Sequence, residues 1–525
     1  MMTRQGGVLA PRPIWRLSDL LAGFAAADPE AGETLAISGL ALDSRRIQPG
    51  WLFLACQGSQ GHGLDFAAQA RARGAVAIAA EPHDPWDPIT MAALGTSLDL
   101  PVIPVPDLRH QASRVAGRFL GEPSAHLQVL GVTGTHGKTS VTHYLSQALA
   151  AEISCGLMGT LGVGFPDDLE PNTHTTPDAV SLQEALAWLR EGGARAVAME
   201  VSSHALDQGR AAGVHFHHAI FTNLSRDHLD YHGDKASYGL AKRGLFQAPG
   251  LEWAILNLDD PLTVGILGDL APEVRVGGHS QNAALEVPSN CELWARLRDL
   301  APSRRGMRLE LETSAGAASL ELELIGRFNA ANVLTVLVVL LSRGMDLDRA
   351  LRALAKVRGV PGRLERFGGA GGPLVVVDYA HTPDALEQTL LDLRAHAPGR
   401  LICVFGCGGD RDTGQRPLMG AVAERLADQV LLTDDNPRRE DGHVIIDQIL
   451  GGMKQPARAA IERRRGLAIR RAIATAGRDD LVLVAGKGHE TIQDLGERQV
   501  HFSDRAQVQQ ALFERMGTAV LEAAA

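Results

Sequence analysis

Leu127-Gln-Val-Leu130-Gly131-Val-Thr-Gly134-Thr-His136-Gly137-Lys138-Thr139-Ser140 opens as an apolar run, turns through glycines and closes on a lysine and two hydroxyls. An apolar run entering a glycine-rich turn, followed by a helical pattern, reads as strand, loop and helix. Glycines let backbone N–H groups curl round phosphate oxygens, Lys138 supplies positive charge, and the Thr139 hydroxyl suits Mg²⁺. The strict phosphate-loop spacing wants glycine at 132, where valine stands, so the loop is a variant built on Gly131 and Gly134. A glycine-rich turn without function is the alternative, and the strand before it and helix after it speak against that.

Two further apolar runs end on polar groups in the same manner. Ala194 to Met199, interrupted only by Arg195, delivers Glu200 and then Val-Ser202-Ser203-His204. A carboxylate leaving a buried strand beside a phosphate loop suits a hard cation, whereas a solvent-facing glutamate is the plain alternative. Ala219-Ile-Phe221 leads into Thr222-Asn-Leu-Ser-Arg-Asp227-His228-Leu-Asp230-Tyr-His232, where His228 is either a metal ligand or a structural histidine. His215, His217 and His218 enter a strand and read as solvated or core histidines. Lys242, on residue type alone, reads as a solvated helix lysine.

The remaining chain falls on either side of this segment. From about Arg363 the apolar runs Leu374–Val377, Leu401–Phe405, Val430–Leu432 and Leu481–Val484 alternate with helical segments. Such runs, buried on both faces, predict a parallel doubly wound sheet. Each is followed by a polar or glycine cluster: Asp378-Tyr-Ala-His381, Gly406-Cys-Gly-Gly-Asp410, Asp434-Asp435-Asn436-Pro437 and Gly486-Lys487-Gly-His-Glu490. Ligands of open α/β sheets bind outside those strand ends, which predicts a site there. Before residue 122 lie shorter apolar runs, Trp51–Ala55 and Ala75–Ala79, with a proline-rich stretch from Pro82 to Pro106. The expected fold is therefore α/β with three domains, 1–122, 123–361 and 362–525: a central P-loop parallel sheet and a C-terminal Rossmann-like doubly wound sheet.

Composition narrows the function. The 525 residues carry 51 Lys plus Arg against 61 Asp plus Glu, a net charge of −10, which disfavours a nucleic-acid binder relying on overall charge. Five scattered cysteines form no disulfide framework, and Cys403 with Cys407 has no second pair at zinc spacing, so a cytoplasmic chain without a cysteine metal site is expected. No membrane span is expected: Val333 to Leu341, the longest apolar stretch, is far short of the ~20 residues needed. Leu20 to Ala27 faintly imitates a signal peptide, but Asp19 and a capping Ser18 predict an ordinary short helix.

Five motifs in order, Gly134-Thr-His-Gly-Lys-Thr-Ser, Glu200-Val-Ser-Ser-His-Ala-Leu, Thr222-Asn-Leu-Ser-Arg-Asp-His-Leu-Asp-Tyr-His-Gly, Asp378-Tyr-Ala-His-Thr-Pro-Asp and Gly486-Lys-Gly-His-Glu, resemble those of the Mur ligases, from about Leu42 to Arg505. These are ATP-dependent amide-forming enzymes of peptidoglycan precursor synthesis. The resemblance implies ATP and Mg²⁺ as cofactors, small-molecule substrates, a monomer, and no nucleic-acid or membrane partner. It implies an ATP site of Gly134, Thr135, His136, Gly137, Lys138, Thr139 and Ser140, with Asn257 near the adenine and Arg363 and Asp378 reaching the nucleotide. Leu42, Ser44, Ser59, Gln60 and Gly61 would hold the UDP end of one substrate, and His174, Thr175, Thr176, Ser202, Gln208 and Arg210 its muramoyl dipeptide.

Lys138, Glu200, His228 and Lys242 would be the catalytic residues, with Thr139, Glu200, His228 and Lys242 around the metal and Lys242 carbamylated. An ammonium beside Mg²⁺ repels it, whereas a carbamate offers it oxygens. Arg411, Asp435, Asn436, Pro437, Arg438, Gly486 and Glu490 match the contacts to diaminopimelate in the members that add it. Its extra carboxylate, absent from lysine, would be gripped by Arg438. His136 and His174 stand where many relatives have asparagine. Three separately bound substrates imply domain closure around an acyl-phosphate intermediate. The same chemistry with L-lysine, a folylpolyglutamate synthase and a P-loop switch or kinase are the rival readings. Arg438 disfavours the first, and the Leu42–Arg46 and Asp435–Arg438 segments disfavour the second.

Overall fold

The computed structural model describes residues 13–25, 35–58, 61–172, 174–369 and 371–523. They form two compact units: residues 1–280, 285–294 and 335–345 in the first, and 281–284, 295–334 and 346–525 in the second.

Besides the short antiparallel pair Trp15–Arg16 with Ala36–Ile37, the first unit is built on two sheets. The smaller is parallel, in the order Gly39–Ala41, Trp51–Ala55, Ala75–Ala80, Val102–Pro104. Alternate residues of its strands enter two different cores: Leu52, Leu54, Ala77 and Ala79 pack on one face, Trp51, Phe53, Ile78 and Ala80 on the other. Being covered twice is why these runs are apolar without alternation. The larger sheet places Gln128–Thr133 between Ala196–Glu200 and His218–Phe221, all parallel, with Trp253–Asn257 and Arg275–Ser280 continuing beyond His218–Phe221. On the other side, Cys155–Gly159 pairs in parallel with Ala196–Glu200 and leads to the antiparallel Gly162–Phe165 and Asp168–Glu170. The three strands that carry the loop, Glu200 and Thr222 are thus neighbours, and their carboxyl ends lie along one edge.

Near the start of this unit the expected short helix is Leu17–Leu21, and Ser18 is inside it rather than capping it; Arg16 holds the N-cap position without a side-chain bond. Leu17, Leu20 and Leu21 are wholly buried, and that spacing fixes where the helix begins. The helix ends at Leu21, so residues 22–25 of the Leu20–Ala27 segment form a turn instead, and residues 26–27 lie outside the described residues.

The second unit is built on a six-stranded sheet in the order Glu365–Gly368, Leu374–Asp378, Leu481–Ala485, Leu401–Phe405, Gln429–Leu432, Ala460–Ile461, parallel except for its first strand. Leu374, Val376, Cys403, Phe405, Leu481 and Leu483 face one core and Val375, Val377, Ile402, Val404, Val482 and Val484 the other. That is the doubly wound layering the apolar runs predict, each buried side chain contributing about 2 kcal/mol. The strand Leu481–Ala485, last of the six in the chain, inserts between Leu374–Asp378 and Leu401–Phe405. The polar segments following these strands therefore emerge side by side, at the position where open α/β sheets bind ligands. Among the described residues, no helix is long and apolar enough to cross a membrane.

Candidate active site

In the first unit the chain leaves Gln128–Thr133, turns, and starts the helix Lys138–Leu149 at Gly137, with φ +87° and no side-chain cap. An uncapped helix start directs its first N–H groups outward, as anion-binding loops do. Gly134 has φ +146°, and a Cβ there would lie 1.9 Å from the Thr222 hydroxyl oxygen, so no other residue fits. The loop is clamped through its main chain: the His136 carbonyl accepts from Thr222 Oγ1 (2.6 Å) and Asn223 Nδ2 (3.1 Å), and the His136 N–H donates to Asn223 Oδ1 (3.0 Å). These bonds involve no side-chain atom of residue 136, so histidine in place of asparagine leaves the clamp intact. Thr139 and Ser140 are buried in the first helical turn. Asn257, at the end of Trp253–Asn257, donates to the Thr222 carbonyl (2.7 Å) and braces the same clamp.

Two lysines converge on one loop carbonyl. Lys138 Nζ donates to the Gly134 and Thr135 carbonyls (2.8 and 3.0 Å), and Lys242 Nζ donates to the Gly134 carbonyl (2.9 Å). Lys242 is a helix residue, as expected, but it is buried rather than solvated, with its amine 4.3 Å from the Tyr238 ring centre. Burial, reinforced by the Lys138 charge, holds its pKa well below the ordinary lysine value, favouring the neutral amine.

Glu200 is also buried. Its carboxylate accepts the Thr160 N–H (2.8 Å) and hydroxyl (3.2 Å), and a Cβ at Gly159 would lie 2.3 Å from Oε1, so that glycine makes room for it. Thr176 Oγ1 donates to the Glu200 carbonyl (2.9 Å) and accepts the Ser202 N–H (3.0 Å). Arg210 donates to the Thr176 carbonyl (2.9 Å) and grips Gln208 Oε1 (2.9 and 2.6 Å). His228 is half-exposed, in the left-handed region at φ +51°, with its ring edge-on to His204 at 4.8 Å. His204 is pushed down to about 4 by burial, then by His228, His232 and Arg210. Among the described residues, no three His, Cys, Asp or Glu side chains gather as a preformed metal cage.

A cleft of about 1540 Å³ opens in the same unit, and Leu42, His174, Gln208 and Arg210 are in its wall. Its lining also includes Arg45, Arg46, Arg109 and Tyr231, none of them singled out in the sequence, where arginines without a motif are indistinguishable from solvated charge. Ser44, between the lining residues Asp43 and Arg45, is buried with its hydroxyl on Gln69 Oε1 (2.6 Å). Thr175, Thr176 and Ser202 gather around Thr160 and Glu200 instead. The Gly61 carbonyl accepts from Gly58 N (2.9 Å), while Ser59 and Gln60 lie outside the described residues.

In the second unit the two polar segments predicted to bind an amino acid interlock. Asn436 Nδ2 donates to Glu490 Oε2 (3.0 Å), and Gly486 N donates to the Asp378 carbonyl (3.1 Å). Arg438, at φ +51°, donates to the Gly409 carbonyl (2.5 Å), and Gly409 N donates to the Asn436 carbonyl (2.9 Å). Pro437 is buried in this turn and Arg411 is exposed nearby in sequence. Asp435 is buried 3.9 Å from Arg465, whose guanidinium is taken by Asp504 (2.7 Å), and burial raises the Asp435 pKa. Arg363 lies over the Tyr379 ring at 4.6 Å, and Asp378 accepts from Leu364 N (2.8 Å) and Ala380 N (3.0 Å).

Three family models match the chain: Mur ligase family, catalytic domain, over 36–119; Mur ligase middle domain over 132–340; and Mur ligase, glutamate ligase domain, over 362–488. A UDP-N-acetylmuramoyl-L-alanyl-D-glutamate–2,6-diaminopimelate ligase of Alkalilimnicola ehrlichii is 52% identical over 92% of this chain and 96% of its own. The chain belongs to the Mur ligase family. The ligase of the same description from Pseudomonas aeruginosa is 48% identical over 92% of this chain and 96% of its own. A solved structure of a UDP-N-acetylmuramoyl-L-alanyl-D-glutamate–2,6-diaminopimelate ligase superposes with TM-score 0.67 at 34% identity, covering 91% of this Mur ligase and 95% of that chain. The folylpolyglutamate synthase of Mycobacterium tuberculosis, solved with ADP and AMPPCP, shares the fold at TM-score 0.57 and 21% identity over 72% of this chain and 92% of that one.

Proposed function

We propose that this Mur ligase joins meso-diaminopimelate to the D-glutamate γ-carboxylate of UDP-N-acetylmuramoyl-L-alanyl-D-glutamate, with ATP as the energy source, in cytoplasmic peptidoglycan precursor synthesis. The observation that carries the reading is the interlocked turn of Asp435, Asn436, Pro437 and Arg438 with Gly486 and Glu490, in a chain about half identical to ligases of that description. The guanidinium of Arg438 matches a planar carboxylate, and Glu490 matches an ammonium. Arg411 is assigned to the same amino acid. We assign UDP-substrate binding to the arginine-lined cleft with Leu42, His174, Gln208 and Arg210 in its wall, and we assign Ser44, Ser59, Gln60, Gly61, Thr175, Thr176 and Ser202 to the same substrate.

The chemistry follows from the loop. Backbone N–H groups of Gly134 to Ser140 and the Lys138 ammonium would hold the ATP phosphates, with Asn257, Arg363 and Asp378 assigned to the same nucleotide. The γ-carboxylate oxygen attacks the γ-phosphorus, ADP leaves, and the acyl phosphate so formed is attacked by the unprotonated amine of the amino acid. The tetrahedral adduct collapses with loss of phosphate, and the amine's extra proton passes to solvent or base. Thr139, Glu200 and His228 would hold Mg²⁺, and the donor set fits: the Glu200 carboxylate keeps acceptor capacity beyond its two hydrogen bonds, and Mg²⁺ commonly takes one or two carboxylates with phosphates and water. Bound there, Mg²⁺ supplies positive charge to the transferring phosphoryl group. The neutral Lys242 amine is the form that adds to CO₂, giving a carbamate and a proton, which places a negatively charged oxygen donor where an ammonium would repel the cation. We further assign the chain as a monomer of three functional parts, 1–122, 123–361 and 362–525.

The test is phosphate release with the UDP-dipeptide and ATP, comparing meso-diaminopimelate with L-lysine. Strong preference for diaminopimelate is expected, and Arg438→Ala should lower that preference by about 10- to 100-fold, the scale of one charge-assisted bidentate contact. Equal use of both amino acids would overturn the specificity, and no release with either would return the chain to the switch reading.

A further inference from the structure

Lys487 stands inside the amino-acid segment yet cannot touch an amino acid. Its side chain is wholly buried, and its ammonium donates three bonds: to Asn436 Oδ1 (2.9 Å), Glu490 Oε2 (2.7 Å) and the Ile492 carbonyl (2.8 Å). An ammonium has three protons, so all are used within the protein. Each acceptor belongs to a different piece of the site. Asn436 is in the turn after Gln429–Leu432, Glu490 is in the turn after Leu481–Ala485, and Ile492 opens the hairpin strand Ile492–Asp494. Asn436 Oδ1 also accepts the Asp494 N–H (3.0 Å), and its Nδ2 donates to the same Glu490 oxygen that Lys487 holds.

We infer that Lys487 is a positioning residue for amino-acid selection: by binding Asn436 and Glu490 together it fixes which carboxylate oxygen and which amide face the amino acid. The inference rests on the amino-acid site proposed above. The Asn436 and Lys487 bonds to the Glu490 side chain both go to Oε2, so Oε1 is the oxygen placed to accept from a substrate ammonium. Without Lys487 the pair Asn436–Glu490 loses its shared donor, and the carboxylate is left with the Asn436 bond as the remaining one of the two that orient it. The groups facing Glu490 are Lys487, Asn436 and His489, with Asp435, Arg465 and Tyr379 at longer range. The bonds from Lys487 and Asn436 hold the Glu490 pKa below its ordinary value against the cost of burial, so losing the ammonium raises it.

The experiment is steady-state kinetics of full-length Lys487→Met, Glu490→Gln and the double variant, varying each substrate in turn and recording pH profiles with the amino acid that the wild type prefers. Lys487→Met is expected to raise the KM for the amino acid about tenfold or more while the KM values for ATP and UDP-dipeptide stay within about twofold, as for loss of an oriented charged contact. The acid limb of kcat/KM for the amino acid should move to higher pH. In the Glu490→Gln background the same substitution should add less than about threefold, because two residues acting through one contact are not additive. Equal losses toward all three substrates with an unmoved acid limb, or full additivity, would overturn the inference. Lys487→Gln, which keeps one donor without the charge, serves for the same measurements if Lys487→Met does not fold, and failure of both to fold would assign Lys487 to the fold alone. A wild type indifferent to amino-acid identity would refute the function proposed above, whereas a selective wild type with an unaffected Lys487→Met would refute only this role.

Discussion

A methyl group at position 134 would collide with the Thr222 hydroxyl at 1.9 Å, on a backbone at φ +146° that side chains rarely adopt. Gly134→Ala must therefore push either the loop or the Thr222–Asn223 clamp out of place. Its kcat/KM for ATP is expected to fall by about 100-fold or more, with the folded core retained by circular dichroism, because the misplaced groups act on phosphate and the strands beneath are untouched. At this scale the sequence was readable where a residue has one structural use: the glycines before Lys138 predict the tight turn between strand and helix that the structure shows. It was not readable for Lys242, which looks like any helix lysine until burial against Tyr238 changes its proton affinity. Nor was it readable for Arg45, Arg46 and Arg109, brought to one cleft only by packing. Glu200 was half-readable: the strand before it was plain, but the glycine at 159 that accommodates its carboxylate lies on a different strand.

Between elements, the structure invests heavily in Arg416. This buried residue of the helix Gln415–Leu426 donates to both oxygens of Glu440 (2.8 and 2.9 Å), to Gln448 (2.6 Å) and to the Gly408 carbonyl (3.0 Å), tying the helix to two loops and to the helix Gly442–Leu450. The Arg416 hydrogen bonds hold Glu440 down to about 2 against an ordinary 4.5. Arg416→Met should destabilise the second unit by about 2 kcal/mol, the scale of losing charge-assisted hydrogen bonds to a partly exposed carboxylate. Because a carboxylate with a depressed pKa stabilises only while ionised, the difference between wild type and variant in urea unfolding should be full above about pH 5 and shrink as pH falls toward 2. Strand runs at this scale were legible almost residue for residue, Leu401–Phe405 among them, since apolar side chains on both faces leave no other reading. Helix starts were not. Ser18 looked like a cap, yet the buried spacing of Leu17, Leu20 and Leu21 overrode it.

Across the whole molecule, several histidines are buried in the neutral form. Burial pushes His218 down to about 3 and His279 down to about 4, each bonded through Nε2 to a hydroxyl, Ser342 and Thr335 respectively (2.9 Å each). The unfolded chain takes up protons at these sites below about pH 6.5, the folded chain only near the lower values, so acidification between those limits favours unfolding. At pH 5 each site removes about 2 kcal/mol of stability, and Tm should fall between pH 7 and pH 5. His279→Asn should flatten that slope while lowering Tm at pH 7, and a slope unchanged in the variant would assign the loss to other groups.

The chain Arg210, Thr176, Glu200 runs from the wall of the arginine-lined cleft to the main-chain carbonyl of Glu200 through two bonds of 2.9 Å. In the language of inhibitor design, this makes the cleft a lever. A small molecule that pulled Arg210 off the Thr176 carbonyl would loosen the mounting of Glu200 from a distance, without occupying the glycine-rich loop.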